Sequence, residues 1–379
     1  MIRIAAIVAL AIAGIVASPA RAEPQRTVAG SLQLDYLALP TEPRGSKLTL
    51  DGTTVELSLR MSVDFNPRAS ATVKACFACH GFEAAAAFVD MRVSDELAFR
   101  IGRFTPSFGS FPQRYDPANH RMSDKPLPYD MGRMVRMGDW NEGILPAPWV
   151  DNGIEVGGTV FFGDGRVDYA VYGVTGAKGQ DEAADLDFRL SRTPETYYTD
   201  NNSEPSVGAR VASAFDIDDH HSISVGLSAM GGHYDPAARL AYWIVGTDVV
   251  AKLPWLTLRA EYLQRRTQMA LGADPESRFK YGPGANGRFD DTFVKHGFYV
   301  ESELPIGRVD LLGRWDGLIR HGNVLAGSVL TDRAAVFRWT AGIAIRVTGE
   351  IRIKSSVEYY RFRDLPDELA IHTGLATPF

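Results

Sequence analysis

The chain has 379 residues, 45% hydrophobic and 23% charged, with 36 glycines, two cysteines and a formal net charge of −6. That balance excludes the basic excess of a nucleic-acid binder. After residue 23 no uninterrupted apolar stretch reaches the roughly 18 to 20 residues of a membrane-crossing helix, which leaves open a barrel, whose alternating strands average out in hydropathy.

At the N-terminus Arg3 precedes an apolar run from Ile4 to Ala17, and Ala20-Arg21-Ala22 stands before Glu23, the arrangement that signal peptidase reads. The run is short for an anchoring helix, so residues 1–22 are read as a cleaved signal peptide and 23–379 as one exported unit. Without Arg3 and Arg21 the net charge becomes −8.

The first strand signals are Val28 to Ala38, Lys47 to Leu50 and Val55 to Phe65. In the last of these Val55, Leu57, Leu59, Met61, Val63 and Phe65 alternate with Glu56, Ser58, Arg60, Ser62 and Asp64, so every apolar side chain shares one face. Ala85 to Val93 and Leu97 to Arg103 follow. Five hairpins come next. Gly153 to Phe162 meets Arg166 to Thr175 across Gly163-Asp164-Gly165, a tight turn in which glycine accepts positive φ. The other four join Val207–Phe215 to Ser222–Met230, Tyr242–Lys252 to Leu256–Arg266, Phe293–Glu303 to Arg308–Ile319, and Ala335–Arg346 to Ile351–Phe362. With Leu369 to Phe379 the total is about sixteen strands.

Long polar segments, including Gly176 to Pro205 and Thr267 to Thr292, separate hairpins whose own turns are short. This asymmetry predicts an all-β fold: an antiparallel transmembrane barrel of about sixteen strands with short periplasmic turns and long outer loops, seated in outer-membrane lipid. In Arg308 to Arg320, Val309, Leu311, Trp315 and Ile319 share the expected lipid face, opposite Asp310, Arg314, Asp316 and Arg320. In the next strand Ala335, Phe337, Trp339, Ala341, Ile343 and Ile345 oppose Arg338 and Arg346. Trp243, Trp255 and Tyr359 stand toward strand ends, where interfacial aromatic girdles sit, and the chain ends in Phe379. A soluble sandwich would leave these apolar faces exposed.

The segment FRIGRFTPSFG, Phe99 to Gly109, with DNGIEVGGTVFF and VDYAVYGVTGA farther on, resembles the phosphate-selective (O and P) porin family. That resemblance implies a barrel of about this size and passage of small ions or solutes. No phosphate ligands are carried over to this chain.

Both cysteines, Cys76 and Cys79, fall in KACFACHGFEA with His80 directly after. CxxCH is the attachment motif of c-type haem: two thiols reach the two vinyl groups and the adjacent histidine takes the iron. The expected cofactor is one covalent haem c, bound by Cys76 and Cys79 with His80 as proximal ligand. The long segment 105–148, a candidate constriction loop, holds His120, Met122, Met131, Met134 and Met137 as candidate distal ligands. A local Cys76–Cys79 disulfide is the competing reading, and a zinc site lacks a second Cys/His pair in the sequence.

Barrel and haem together are similar in architecture to fused cytochrome-porins, although here about 53 residues lie between the signal peptide and the motif. The resemblance implies electron transfer at the outer membrane with a periplasmic or extracellular redox partner. The alternative is an ordinary anion or solute porin with a disulfide-pinned loop; a soluble periplasmic haem protein ranks last. No catalytic acid, base or nucleophile constellation stands out, so a non-enzyme is expected, and a homotrimer would suit a sixteen-stranded porin. With Phe379 and the short turns on the periplasmic side, counting back has Val55–Phe65 rising outward and Ala85–Val93 descending. Residues 66–84 then form an outer haem-binding loop.

Overall fold

The computed structural model describes residues 24–40, 52–78, 81–130, 135–136, 140, 143–145, 147–181, 188, 191, 197–218 and 220–379. The expected signal peptide and Lys47–Leu50 lie outside them. Sixteen strands close into an antiparallel barrel: β1 (Gln25–Ala38), β2 (Thr53–Asn66), β3 (Ala69–Ala78), β4 (Gly81–Arg92), β5 (Ala98–Phe104), β6 (Asp151–Phe162), β7 (Gly165–Val174) and β8 (Ser206–Asp218). The second half runs β9 (His221–His233), β10 (Ala241–Leu253), β11 (Leu256–Gln268), β12 (Thr292–Ile306), β13 (Val309–His321), β14 (Ala335–Arg346), β15 (Arg352–Phe362) and β16 (Glu368–Pro378). Each strand pairs with its chain neighbours, and β1 closes on β16 with Leu34 opposite Leu375.

The expected strand number is right, but its membership is not. The strand missed in the sequence is β3, and β1 pairs directly with β2. Residues 66–84 are therefore no loop: residues 67–68 turn, β3 rises, and residues 79–80 join it to β4, with Ala78 opposite Gly81. The extra strand also reverses Val55–Phe65. It descends toward the short turns instead of rising, while Ala85–Val93 descends as expected.

One end of the barrel carries the connections 67–68, 93–97, 163–164, 219–220, 254–255, 307–308 and 347–351, together with both strand termini. The other carries 39–52, 105–150, 175–205, 269–291 and 322–334, with three shorter connections. This is the asymmetry read from the hairpins.

Burial is inverted relative to a soluble fold. Arg265, Arg320, Arg338, Lys295, Asp316 and Glu358 are fully enclosed, whereas Val28, Val171, Leu227, Trp315 and Trp339 are exposed on the outside. The period-two pattern produces this directly: in β13, Asp310, Arg314, Asp316 and Arg320 point inward and Leu311 and Trp315 outward. Ala335, expected on the outer face, is covered. An apolar exterior around the whole ladder is what hydrocarbon rather than water stabilises. On that exterior Trp315, Trp339 and Tyr359 are direct cross-strand partners. One register level away the Phe298 and Phe337 rings cover Gly317, where a Cβ would come within 2.9 Å of each ring. Among the described residues no helix is long and apolar enough to cross a membrane.

Candidate functional site

The segment that carried the family resemblance is where the chain leaves the wall. After β5, Gly109 takes φ +61°, and a Cβ there would strike the Tyr129 hydroxyl and come within 2.8 Å of the Glu261 carboxylate. Only glycine suits both the left-handed backbone and the space. Residues 105–150 then touch strands around most of the ring. Ser107 N donates to Glu155 Oε2 of β6 (2.8 Å) and Gly109 N to Ser228 Oγ of β9 (3.0 Å). Arg114 donates to Glu301 of β12 (3.0 Å), Leu127 N to Asp316 of β13 (2.9 Å), and Lys354 of β15 donates to Pro117 O (2.5 Å). Lys74 of β3 pairs with Asp116. The described residues of this segment, in contact with strands on all sides of a closed barrel, lie inside it.

Two anchors dominate. The Glu261 carboxylate of β11 accepts from Ser110 N (3.2 Å), Ser110 Oγ (2.6 Å), Phe111 N (2.7 Å), Tyr299 Oη (2.7 Å) and Tyr129 Oη. Five donors fill its acceptor sites, so its burial is compensated. On β14, Arg338 pairs with Asp124 of the segment, with Asp316 (2.5 Å) and with Glu358 (3.3 Å), and donates to Lys125 O (2.7 Å). Between the anchors lie apolar side chains: Phe111 stacks on Tyr129 at 5.1 Å, and Phe108, Leu127, Trp140 and Ile144 are fully buried. Each such burial contributes about 1.5–3 kcal/mol.

The opposite side is looser. Between the segment and the β1–β5 wall lies a cavity of about 430 Å³, bordered by Arg60, Lys74, Arg100, Gln113, Tyr115 and Asp116.

Of the expected haem residues the structure describes Cys76, Met122 and His120. Cys76 faces inward on β3, paired in register with Ser58 and Glu83; it is buried and its thiol is free. Cys79 and His80 lie outside the described residues. Met122 packs on Leu312 and Ala344, next to the short turns of β13 and β14. His120 is buried against Phe111, their ring centroids 5.9 Å apart. Burial and then the nearby cations Lys354, Arg114, Lys125 and Arg314 hold its imidazole well below its usual pKa. Met131, Met134 and Met137 are outside the described residues. The β7–β8 connection meets the start of β4 at Glu83 and Ala84. Tyr198 Oη accepts from Ala84 N (3.1 Å), Tyr197 Oη donates to Glu83 (3.2 Å), and the Arg103 guanidinium lies 4.0 Å from the Tyr197 ring centroid.

Glu261 and Glu358 were not singled out from sequence, although each stands at an alternating polar position of an expected strand. Alternation locates an inward charge but not the loop it will hold.

No family model matches the sequence, and no curated protein matches it. Solved structures do match in fold. OmpF of Salmonella typhi in complex with daunomycin is 10% identical, covering 93% of this chain and 97% of that one, with a TM-score of 0.56. In-vitro folded OmpT, an outer membrane protein of Vibrio cholerae, is 7% identical over 95% of this chain and 99% of its own, with a TM-score of 0.55. A trimer form of the same protein gives 7%, 94%, 99% and 0.51. At such identities the likeness is one of fold, and the fold is the closed sixteen-strand barrel of outer-membrane porins.

Proposed function

We propose that this chain is an outer-membrane porin through which small solutes pass along the lumen, restricted by segment 105–150. The observation that carries the reading is the inverted barrel, apolar outside and charged inside, with one segment folded across its interior. Arg60, Lys74 and Arg100 on the cavity side, set against Asp116, leave a positive balance at the border that favours anions over cations. The trimer form of the Vibrio cholerae neighbour makes a trimer the first assembly to test. Reconstitution into planar lipid bilayers tests the reading: stepwise single-channel conductance with an anion-leaning reversal potential is expected. Purified barrel that inserts without conducting would refute it.

A second reading adds one haem c on Cys76 and Cys79, with His80 on the iron, and with it a role in electron transfer to a periplasmic or extracellular redox partner. It is supported by the setting of the β3–β4 end, where Tyr197 and Tyr198 offer aromatic surface to a planar macrocycle and Arg103 a partner for carboxylates. Because Cys76 is buried, a thioether there must form before the barrel closes. Haem staining of the denatured protein, lost in Cys76→Ala, is the expected result; an unstained wild type leaves the porin alone.

A further inference from the structure

Where β1 closes on β16, four side chains from four parts of the chain meet beneath the folded-in segment. They are Asp124 from the segment, Glu358 from β15, His372 from β16 and Asp35 from β1. One ligand atom each from Asp124, Glu358 and His372 lies within 4.8 Å of the others, and all three residues are buried. His372 is 1% exposed, yet neither ring nitrogen makes a hydrogen bond. Its Nε2 stands 3.6 Å from Glu358 Oε2 and its Nδ1 3.7 Å from Asp35 Oδ2. The first distance is long for a hydrogen bond, but with zinc bonds near 2.1 Å the ligand-to-ligand edge of a tetrahedral site is about 3.4 Å.

We infer that His372 Nε2, Glu358 and Asp124 form a binding site for a divalent transition-metal ion, with the Asp35 carboxylate 3.7 Å from the imidazole's other nitrogen. A nitrogen with two carboxylates suits a borderline ion such as Zn²⁺ better than Ca²⁺, which takes six to eight oxygens. A carboxylate on the second imidazole nitrogen is the usual partner of a metal-bound histidine. Arg338 contacts both Asp124 Oδ2 and Glu358 Oε2 and holds the two carboxylates toward each other. The bound ion ties the segment to the strands that close the barrel. The site shares no residue with the cavity border or the CxxCH motif.

The test uses the full barrel in detergent, stripped with chelator and then given Zn²⁺. Elemental analysis after gel filtration is expected to find one equivalent per chain, absent in His372→Gln and Asp124→Asn. Asp35→Asn is expected to weaken binding by about 10- to 100-fold, the usual cost of losing an outer-shell partner. Heat-dependent gel mobility reports whether each variant is a folded barrel; should His372→Gln not assemble, Asp124→Asn, whose residue lies outside the strands, asks the same question. His221→Gln, on an exposed histidine at the short-turn end, controls for surface binding. Wild type that retains no zinc, or zinc retained equally by His372→Gln and Asp124→Asn, overturns the site.

Discussion

Along β11–β15 the inward charges Glu261, Asp316 and Arg338 hold segment 105–150, whereas along β1–β5 Arg60, Lys74 and Arg100 border a cavity. Both walls follow the same alternation, so strand pattern does not create the difference. It comes from where the segment settles. Glu261, Arg338 and Asp316 are enclosed with their partners and have exchanged water for fixed donors and acceptors. Lys74 meets the segment at Tyr115 and Asp116, at the margin of open space. One wall is thus a buried ion-pair network, where removing a single partner is costly, and the other a surface that water can repair.

Arg338→Ala probes the first wall most severely. It takes a guanidinium from Asp124, Asp316 and Glu358, of which Asp124 and Asp316 keep Arg314, and a loss of about 3–5 kcal/mol is expected in urea unfolding followed by gel mobility. A loss below about 1 kcal/mol would mean that water reaches this wall too, and the contrast would fail. Glu261→Ala comes next. It strips the acceptor from Ser110 N, Phe111 N and two tyrosine hydroxyls, and partial repair by water limits the expected cost to about 2–3 kcal/mol. Because Glu261 holds the start of the segment, bilayer recordings of this variant should show a higher conductance than wild type. An unchanged conductance would show that the segment does not set the width.

How much of this was legible in the sequence follows from the kind of signal each part carries. The ten hairpin strands from β6 to β15 announced themselves through alternation and turn residues. β3 did not: its outward positions Ala71, Val73 and Ala75 are small, and its far end is occupied by the CxxCH motif, which draws the reading toward a loop. Lys47–Leu50 filled the missing place in the count, so the parity came out right while the direction of Val55–Phe65 came out wrong. The inward side chains of β13 and β14 were legible as a lumen face. Their partners on segment 105–150 were not, since a segment without period carries no sign of which wall it will meet. The glycine at 109 and the Glu261 that crowds it are separated by some 150 residues of chain.

The pH dependence sharpens the comparison at smaller amplitude. His120 is held neutral by burial beside Lys354, Arg114, Lys125 and Arg314, so its folded pKa lies below the unfolded value of about 6.5. Below that pH the unfolded chain binds a proton that the folded one refuses. Stability from this residue is therefore full above about pH 6.5 and is lost as pH falls toward the folded pKa, by at most about 1.4 kcal/mol per pH unit. Unfolding midpoints at pH 8, 6 and 5 should drop more steeply for wild type than for His120→Gln; parallel slopes would place the titrating groups elsewhere.

The smallest expected effect belongs to the cavity side. Lys74→Ala removes the β3 contact with Tyr115 and Asp116, but the freed carboxylate borders the 430 Å³ cavity and can be hydrated, so the expected loss is about 1 kcal/mol. That is well under the cost of Arg338→Ala, although both substitutions delete one cation that pairs with the same segment. The variant should instead register in the current: with one cation fewer beside the cavity and Asp116 uncovered, the reversal potential should move toward cations. A stability loss equal to that of Arg338→Ala, with an unchanged reversal potential, would mean that the cavity is dry and that both walls are one network.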